Sequence, residues 1–308
     1  MPPPPKRLLS RSAYHPELRR AAPFLPRRAV SERTLGLTRW LTQRLLRGAS
    51  DDIEVHDVGD IHVRLHRPPR GDGPHPALLW IHGGGFVMGT AAQDDRTCRG
   101  IAEELGAVVA SVEYRLAPEH PFPTPLHDCH DALEWLASRD DVDTTRVAIG
   151  GASAGGGLAA GLALLARERD AVSPVAQILV YPMLDDRTAT DPGFDDTEVR
   201  LWDNKANRFG WAAYLGQPPG SASVPPPAAP ARNEDLSGLP PAWIGVGTLD
   251  LFHDEDVAYA ERLRTAGVEC ELHVVEGAFH GFDALAKTEV AKAFTRARDQ
   301  VLAAAFAG

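Results

Sequence analysis

The sequence predicts an α/β protein, a mostly parallel sheet with helices on both faces, and three observations carry that expectation. After residue 50, short apolar runs rich in β-branched residues alternate with longer stretches of helical periodicity almost to the end of the chain. The central apolar runs lack the polar alternation of half-exposed strands, as expected where helices cover both faces. Two stretches, 1–48 and 184–240, break the rhythm, and an accessory layer is expected there.

The elements follow in order. Runs 53–58 and 61–67 flank Gly59-Asp60 and predict an antiparallel hairpin. Strand 77–81, helix 93–105, strand 107–113, helix 127–138, strand 146–150, helix 154–168 and strand 175–181 come next. After the interruption, strand 242–247, helix 254–266, strand 269–275 and a helix near 284–304 complete eight strands. In the first accessory stretch, Val30, Thr34, Leu37, Leu41 and Leu45, with Trp40 alongside, recur at helical spacing among arginines and predict an apolar stripe covering the site. The second holds an aromatic-rich helical segment, Leu201 to Leu215. The run Gln217 to Arg232 follows with six prolines and reads as a surface loop. The expected organisation is N-terminal cap helices over 1–48, core over 49–183, cap insertion and loop over 184–240, and core again over 241–308.

Composition limits the function. With 44% hydrophobic and 24% charged residues, the 308-residue chain buries a sizeable core, which excludes disorder as the dominant state. Lysine plus arginine number 32 against 42 acidic residues, a net charge of −10 that argues against a nucleic-acid binder. The charge is uneven: residues 1–50 hold Lys6 and ten arginines against Glu17 and Glu32, a balance of +9 that leaves −19 elsewhere. No apolar run reaches the roughly 18 residues of a membrane helix, and no stable membrane association is expected. The opening MPPPPKRLLSRS lacks the apolar stretch of a secretory signal. Cys98, Cys129 and Cys270 form an odd set without metal-type spacing, so a cytoplasmic setting is expected.

Two glycine motifs carry chemistry. Gly151-Ala152-Ser153-Ala154-Gly155 follows the apolar run Val147-Ala148-Ile149 and opens a small-residue helix, the context a nucleophile elbow needs. Flanking glycines there remove side chains that would collide with strand and helix. His82-Gly83-Gly84-Gly85-Phe86 follows a strand directly, and consecutive glycines let backbone N–H groups turn toward a developing oxyanion. A phosphate loop or dinucleotide site is the competing reading, but neither G-x-x-x-x-G-K-S/T nor G-x-G-x-x-G occurs there.

A serine nucleophile needs a base and an orienting carboxylate. Of twelve histidines, His280 lies on the loop after the last predicted strand, at the sheet edge where open α/β folds place their sites. His82, His120, His127, His130, His253 and His273 read as loop, helix or core residues, with His82 shaping the glycine loop. Asp250, just beyond the strand Trp243–Gly247, completes the order serine, aspartate, histidine. Asp254 competes, but reads as a helix-start residue.

These motifs carry a resemblance. Residues 50–305 resemble the bacterial hormone-sensitive-lipase-like esterases of the α/β-hydrolase superfamily. The likeness rests on His82–Phe86, on Tyr114–Pro123 (YRLAPEHPFP), on Gly151–Gly156, on Asp250 in G-x-x-D and on His280-Gly281-Phe282. Ala152, Gly157 and Leu251 depart from the family's usual residues. The resemblance implies an α/β-hydrolase fold, a mostly parallel eight-stranded sheet flanked by helices, and a helical cap. It implies oxyanion N–H groups from Gly84, Gly85 and Ala154, with Gly83 and His82 in support and Tyr114–Pro123 as a brace. Phe86, Trp202, Phe209, Trp211 and Phe282 are expected to line the substrate pocket.

The expected activity is hydrolysis of short- to medium-chain acyl esters by Ser153, His280 and Asp250 through an acyl-enzyme, with no metal or organic cofactor. A small-molecule ester is the expected partner, and the resemblance allows a homodimer. An amidase or a specialised natural-product ester hydrolase would use the same site. A ligand-binding receptor on the same scaffold would be expected to have lost a triad member, and none is missing. A membrane-surface lipase would draw on the basic N-terminal stripe, but that short amphipathic helix reads more economically as a cap packed over the pocket.

Overall fold

The computed structural model describes residues 13–46, 53–69, 71, 73–170, 172–191 and 197–308. Residues 1–12 and 47–52 of the N-terminal stretch, and 192–196 of the insertion, lie outside the described residues.

Eight strands form one sheet: β1 (Glu54–Val58), β2 (Ile61–His66), β3 (His75–Ile81), β4 (Val108–Glu113), β5 (Val142–Ala152), β6 (Gln177–Val180), β7 (Ala242–Gly247) and β8 (Cys270–Val275). Their spatial order is β1-β2-β4-β3-β5-β6-β7-β8. The β1–β2 and β2–β4 pairs are antiparallel, and all the others are parallel. Gly59, at φ +59°, closes the first hairpin in a backbone conformation that suits glycine. The helices are α1 (Leu35–Leu46), α2 (Asp95–Leu105), α3 (Thr124–Ala137), α4 (Ala154–Arg169), α5 (Asn204–Leu215), α6 (His253–Thr265) and α7 (Glu289–Ala307).

The absence of polar alternation in β3 now has its physical reason. Ala77, Leu79 and Ile81 join the core on the face shared with Leu133 of α3 and Leu162 of α4. Leu78 and Trp80 join the opposite cluster, with Ile101 of α2 and Phe294 and Leu302 of α7. Both faces of the strand are dry, so both sets must be apolar. Helix α4 is buried from Ala154 through Leu165 and Ala166, which accounts for a sequence of small and aliphatic residues with no polar stripe. Because β3 to β8 run parallel, the loops after β3, β5, β7 and β8 emerge at one sheet edge.

Three local expectations need correction. The last helix starts at Glu289 rather than near 284, because Thr288 caps it by accepting the Ala291 N–H at 3.3 Å, and Phe282–Ala284 form a separate 3-10 turn. The proline run is no plain surface loop. Its 3-10 turns Pro226–Ala228 and Pro230–Arg232 bury Ala228, Ala229 and Ala231, and Pro227 lies so close to α4 that a Cβ on Gly161 would sit 2.5 Å from its carbonyl oxygen.

The third correction concerns α1. Of the predicted stripe only Val30 is buried, while Leu37, Trp40, Leu41 and Leu45 are 61, 55, 42 and 79% exposed. Arg39 sets the roll of the helix. Its guanidinium faces the body, where Nε donates to the Val87 carbonyl at 2.6 Å, Nη2 donates to the Ala117 carbonyl at 2.6 Å, and Glu119 pairs with it. Charge-assisted bonds to backbone carbonyls are worth about 1.5–3 kcal/mol each. They turn the apolar stripe away from the core.

Candidate active site

Ser153 stands between β5 and α4 with φ +57° and ψ −122°, a strained conformation for a residue with a side chain. Its surroundings enforce the strain. The Ser153 N–H donates to the Val180 carbonyl at 2.8 Å, and its own carbonyl accepts from Met183 N–H and Gly157 N–H, each at 3.0 Å. A Cβ on Gly151 would lie 2.5 Å from the Ile81 carbonyl oxygen, and one on Gly155 would collide with the same atom. Only glycines allow β3, β5 and α4 to converge closely enough to present Oγ at the sheet edge.

His280 reaches Ser153 from the loop after β8. Its Nε2 lies 2.9 Å from Ser153 Oγ, and its Nδ1 lies 2.8 Å from Asp250 Oδ2. The second oxygen of Asp250 accepts the Phe252 N–H at 3.0 Å, so the carboxylate is held at both ends and its side chain is fully buried. The loops after β7 and β8 are stitched together: Thr248 N–H donates to Val275, Leu249 N–H donates to Ala278, and Gly277 N–H donates to Thr248 Oγ1. These bonds fix the distance between aspartate and histidine. Asp254 lies in the first turn of α6, its side chain 93% exposed and against His253.

Two aromatic residues that the sequence reading passed over hold the imidazole. Tyr181 meets His280 edge-on at 4.6 Å and Phe252 meets it at 5.3 Å. The Tyr181 hydroxyl donates to Asp283 at 2.7 Å, three residues beyond the histidine. The only sequence signal for Tyr181 was its place at the C-terminal end of a strand.

The glycine loop after β3 lies beside the serine, and a Cβ on Gly83 would be 2.9 Å from the Ala152 carbonyl oxygen. Gly84 and Gly85 take φ +127° and +60°, and a side chain on Gly84 would collide with the Met88 carbonyl. Among the described residues, nothing accepts from the N–H groups of Gly84 or Gly85. Ala154 opens α4, where first-turn N–H groups have no intrahelical acceptor and the helix dipole favours negative charge.

His82 supports this loop from below. Burial pushes its imidazole below the ordinary value and keeps it neutral, so Nδ1–H donates to the Gly83 carbonyl at 2.8 Å. Tyr114 stacks on that ring at 4.2 Å and donates its hydroxyl proton to the His82 carbonyl at 3.1 Å.

The five expected pocket residues divide. Trp202 lies against Gly85 and Phe209 is half-buried. Phe86, Trp211 and Phe282 are fully buried, so they offer no surface to a ligand. Phe86 stacks on Tyr214 at 4.1 Å beside Trp211 and anchors the glycine loop to α5, while Phe282 packs on Phe294 in the core. Their large apolar rings gain more from core burial than from lining an open cleft.

His130, Asp131 and Glu134 of α3 form a separate cluster of ligand-type atoms. The Arg169 guanidinium lies 3.1 Å from His130 Nδ1, which opposes a bound cation.

Comparisons with known proteins identify the family and the fold. The sequence profile of a family described as the alpha/beta hydrolase fold matches residues 78–284. Esterase LipI of Mycobacterium tuberculosis is 37% identical over 230 residues, covering 73% of this chain and 72% of that protein. The ethyl acetate hydrolase of Pseudomonas putida is 34% identical over 236 residues, covering 75% and 74%. Among solved structures, a bacterial heroin esterase superposes with a TM-score of 0.86 at 37% identity, covering 96% of this chain and 98% of that one. Esterase LipW of Mycobacterium marinum gives 0.84 at 32% identity, covering 97% and 98%.

Proposed function

The chain belongs to the α/β-hydrolase fold family, in its hormone-sensitive-lipase-like branch, and from that premise we infer that it is a serine carboxylesterase whose nucleophile is Ser153. The observation that carries this reading is the single imidazole of His280, hydrogen-bonded at one nitrogen to Ser153 Oγ and at the other to Asp250.

The mechanism follows from those bonds. His280 Nε2 takes the Ser153 proton as Oγ attacks the ester carbonyl carbon, and Asp250 holds Nδ1–H and stabilises the imidazolium. Negative charge on the carbonyl oxygen is met by the N–H groups of Gly84, Gly85 and Ala154, already oriented before reaction. Collapse expels the alcohol, which takes its proton from His280. Water, deprotonated by the same imidazole, then releases the acid and restores the serine. Every step is performed by groups of this chain, with no metal or organic cofactor.

The substrate class is an ester of a short to medium acyl chain. The placement of Trp202 against Gly85 supports this reading by crowding the oxyanion loop with a large ring, as does the relative named an ethyl acetate hydrolase. Three unpaired cysteines support a cytoplasmic setting. The test is hydrolysis of nitrophenyl esters of increasing acyl length, with mass-spectrometric detection of a phosphonate adduct on Ser153. Hydrolysis with no adduct at Ser153 would overturn the assignment.

A further inference from the structure

Helix α1 is built the wrong way round for a helix that packs only on its own protein. Leu37, Trp40, Leu41 and Leu45, at positions i, i+3, i+4 and i+8, form its exposed face. Leu35, Thr38, Arg39 and Thr42 are the half-buried residues toward the body. An amphipathic surface helix normally buries its apolar stripe. Here that stripe is directed outward and held there by the bonds from Arg39 to the Val87 and Ala117 carbonyls.

We propose that this face of α1 docks reversibly on an anionic lipid surface, lying in the interface with Trp40 at headgroup level. Charge chooses the occupant. Residues 1–50 carry +9 while the rest of the chain carries −19, so the strongly basic segment of an acidic protein also bears the helix whose apolar face is left exposed among the described residues. Arg33 and Arg44 are exposed beside the stripe, and the Arg44 guanidinium lies 5.8 Å over the Trp40 ring. An indole with a cation over its face suits a boundary that is apolar on one side and anionic on the other. A second copy seated on the same face through a twofold axis would bring two +9 segments together.

The contact is peripheral. No helix among the described residues is long and apolar enough to cross a membrane, and α1 has only three turns. Its position links docking to the site without depending on the reaction assigned there. Arg39 grips the chain at Val87, two residues after Gly85, so a lipid surface under α1 lies close to the glycine loop. Apolar ligands dissolved in that surface would then be presented locally instead of being drawn from water.

The test is flotation of the full-length protein with vesicles of phosphatidylglycerol and phosphatidylcholine, compared with phosphatidylcholine alone. Binding to the anionic vesicles should be roughly tenfold stronger and should collapse in about 0.5 M salt, where screening reaches only a few ångströms. The triple variant Leu37→Ser, Trp40→Ser, Leu41→Ser removes only outward-facing groups. It should keep its circular dichroism and its hydrolysis of soluble nitrophenyl esters while losing vesicle binding by about tenfold or more. Equal flotation of variant and wild type would overturn the proposal, as would no flotation of the wild type. A concentration-dependent dimer that the triple variant abolishes, without any vesicle binding, would overturn it in favour of a second copy.

Discussion

The indole of Trp202 lies against the α-carbon of Gly85, so close that any side chain at position 85 would enter the ring. The insertion thereby clamps the glycine loop from above, and the Gly85 carbonyl also sits 2.7 Å from where a Cβ on Gly210 would be. Gly85→Ala is expected to lower kcat/KM by about 10²–10³-fold, the scale of losing one oxyanion donor, since both its φ of +60° and the ring oppose the new methyl group. Trp202→Ala made in the same chain should return part of that loss by vacating the space. A double-mutant cycle showing strict additivity would mean that ring and loop are not coupled.

The triad gives a ranking. Ser153→Ala should lower kcat roughly 10⁶-fold, because nucleophile and base act as a unit. Asp250→Asn should cost about 10⁴-fold by disfavouring the productive imidazole tautomer. Asp254→Asn should change kcat less than about threefold, since that side chain stands in water and a solvated charge contributes little to a distant site. Steady-state kinetics that reversed the order of the two aspartates would transfer the orienting role to Asp254.

Much of this was legible from residue order, and the reasons are local. The elbow glycines and Ser153 announce themselves because backbone approach at Gly151 and Gly155 forbids a Cβ, a constraint written into single positions. The strands were legible because burial on both faces demands unbroken apolar runs, as in β3. What the sequence left hidden depends on distant partners. The roll of α1 was set by Arg39 finding two carbonyls some fifty and eighty residues away, which no helical periodicity encodes. Phe282 and Trp211 were read as pocket residues from their nearness in sequence to the site, whereas burial against Phe294 and Phe86 decided their place. Tyr181 escaped notice because its partners, His280 and Asp283, lie a hundred residues on.

Activity should fall on the acid side. The proposed base, His280, can accept the Ser153 proton only through an unprotonated Nε2, so kcat/KM should decline as the medium is acidified. Initial rates at low substrate give the profile directly. A rate that does not decline on acidification while the protein stays folded would contradict a histidine base.

Stability should move the other way with pH because of α6. Asp256 is fully buried, and neither carboxyl oxygen has a hydrogen-bond partner among the described residues. Burial, reinforced by Glu255 and Asp250, raises its pKa well above the ordinary carboxyl value. Burial likewise pushes Glu255 up to about 8. The native state therefore keeps protons that the unfolded chain releases at the ordinary carboxyl pKa. Their contribution is complete below that value and is lost as pH rises toward the native ones. Asp256→Asn preserves shape and cannot ionise, so its melting temperature relative to wild type should increase steadily from about pH 5 to about pH 9. Thermal unfolding curves with a pH-independent difference would show that Asp256 does not titrate during unfolding.

The arm before α1 should matter through His280. Residues 13–28 strap the loop that carries the base: the His15 N–H donates to the Gly277 carbonyl at 2.8 Å, and Tyr14 meets Phe279 edge-on at 6.2 Å. The same arm is tied to the insertion, since Tyr14 donates its hydroxyl proton to the Glu198 carbonyl at 2.8 Å and buried Arg200 Nε donates to the Ala22 carbonyl at 2.8 Å. Gly277 takes φ +69°, and a Cβ there would meet Tyr14 C at 2.8 Å, so loop and strap touch backbone to backbone. Tyr14→Ala removes a fully buried ring and should destabilise the fold by about 3–5 kcal/mol. Beyond that loss, it frees His280 to move relative to Ser153, and a displacement of about 1 Å costs up to about a hundredfold in rate. Tyr14→Phe keeps the ring against Phe279 and gives up only the bond to Glu198, so it should retain kcat within about threefold. Kinetics on the folded fraction, paired with hydrogen exchange across Gly277–Phe282, separates the two effects. If Tyr14→Ala leaves both kcat and exchange in that loop unchanged, the arm contributes stability alone and the position of His280 is set by Tyr181 and Phe252.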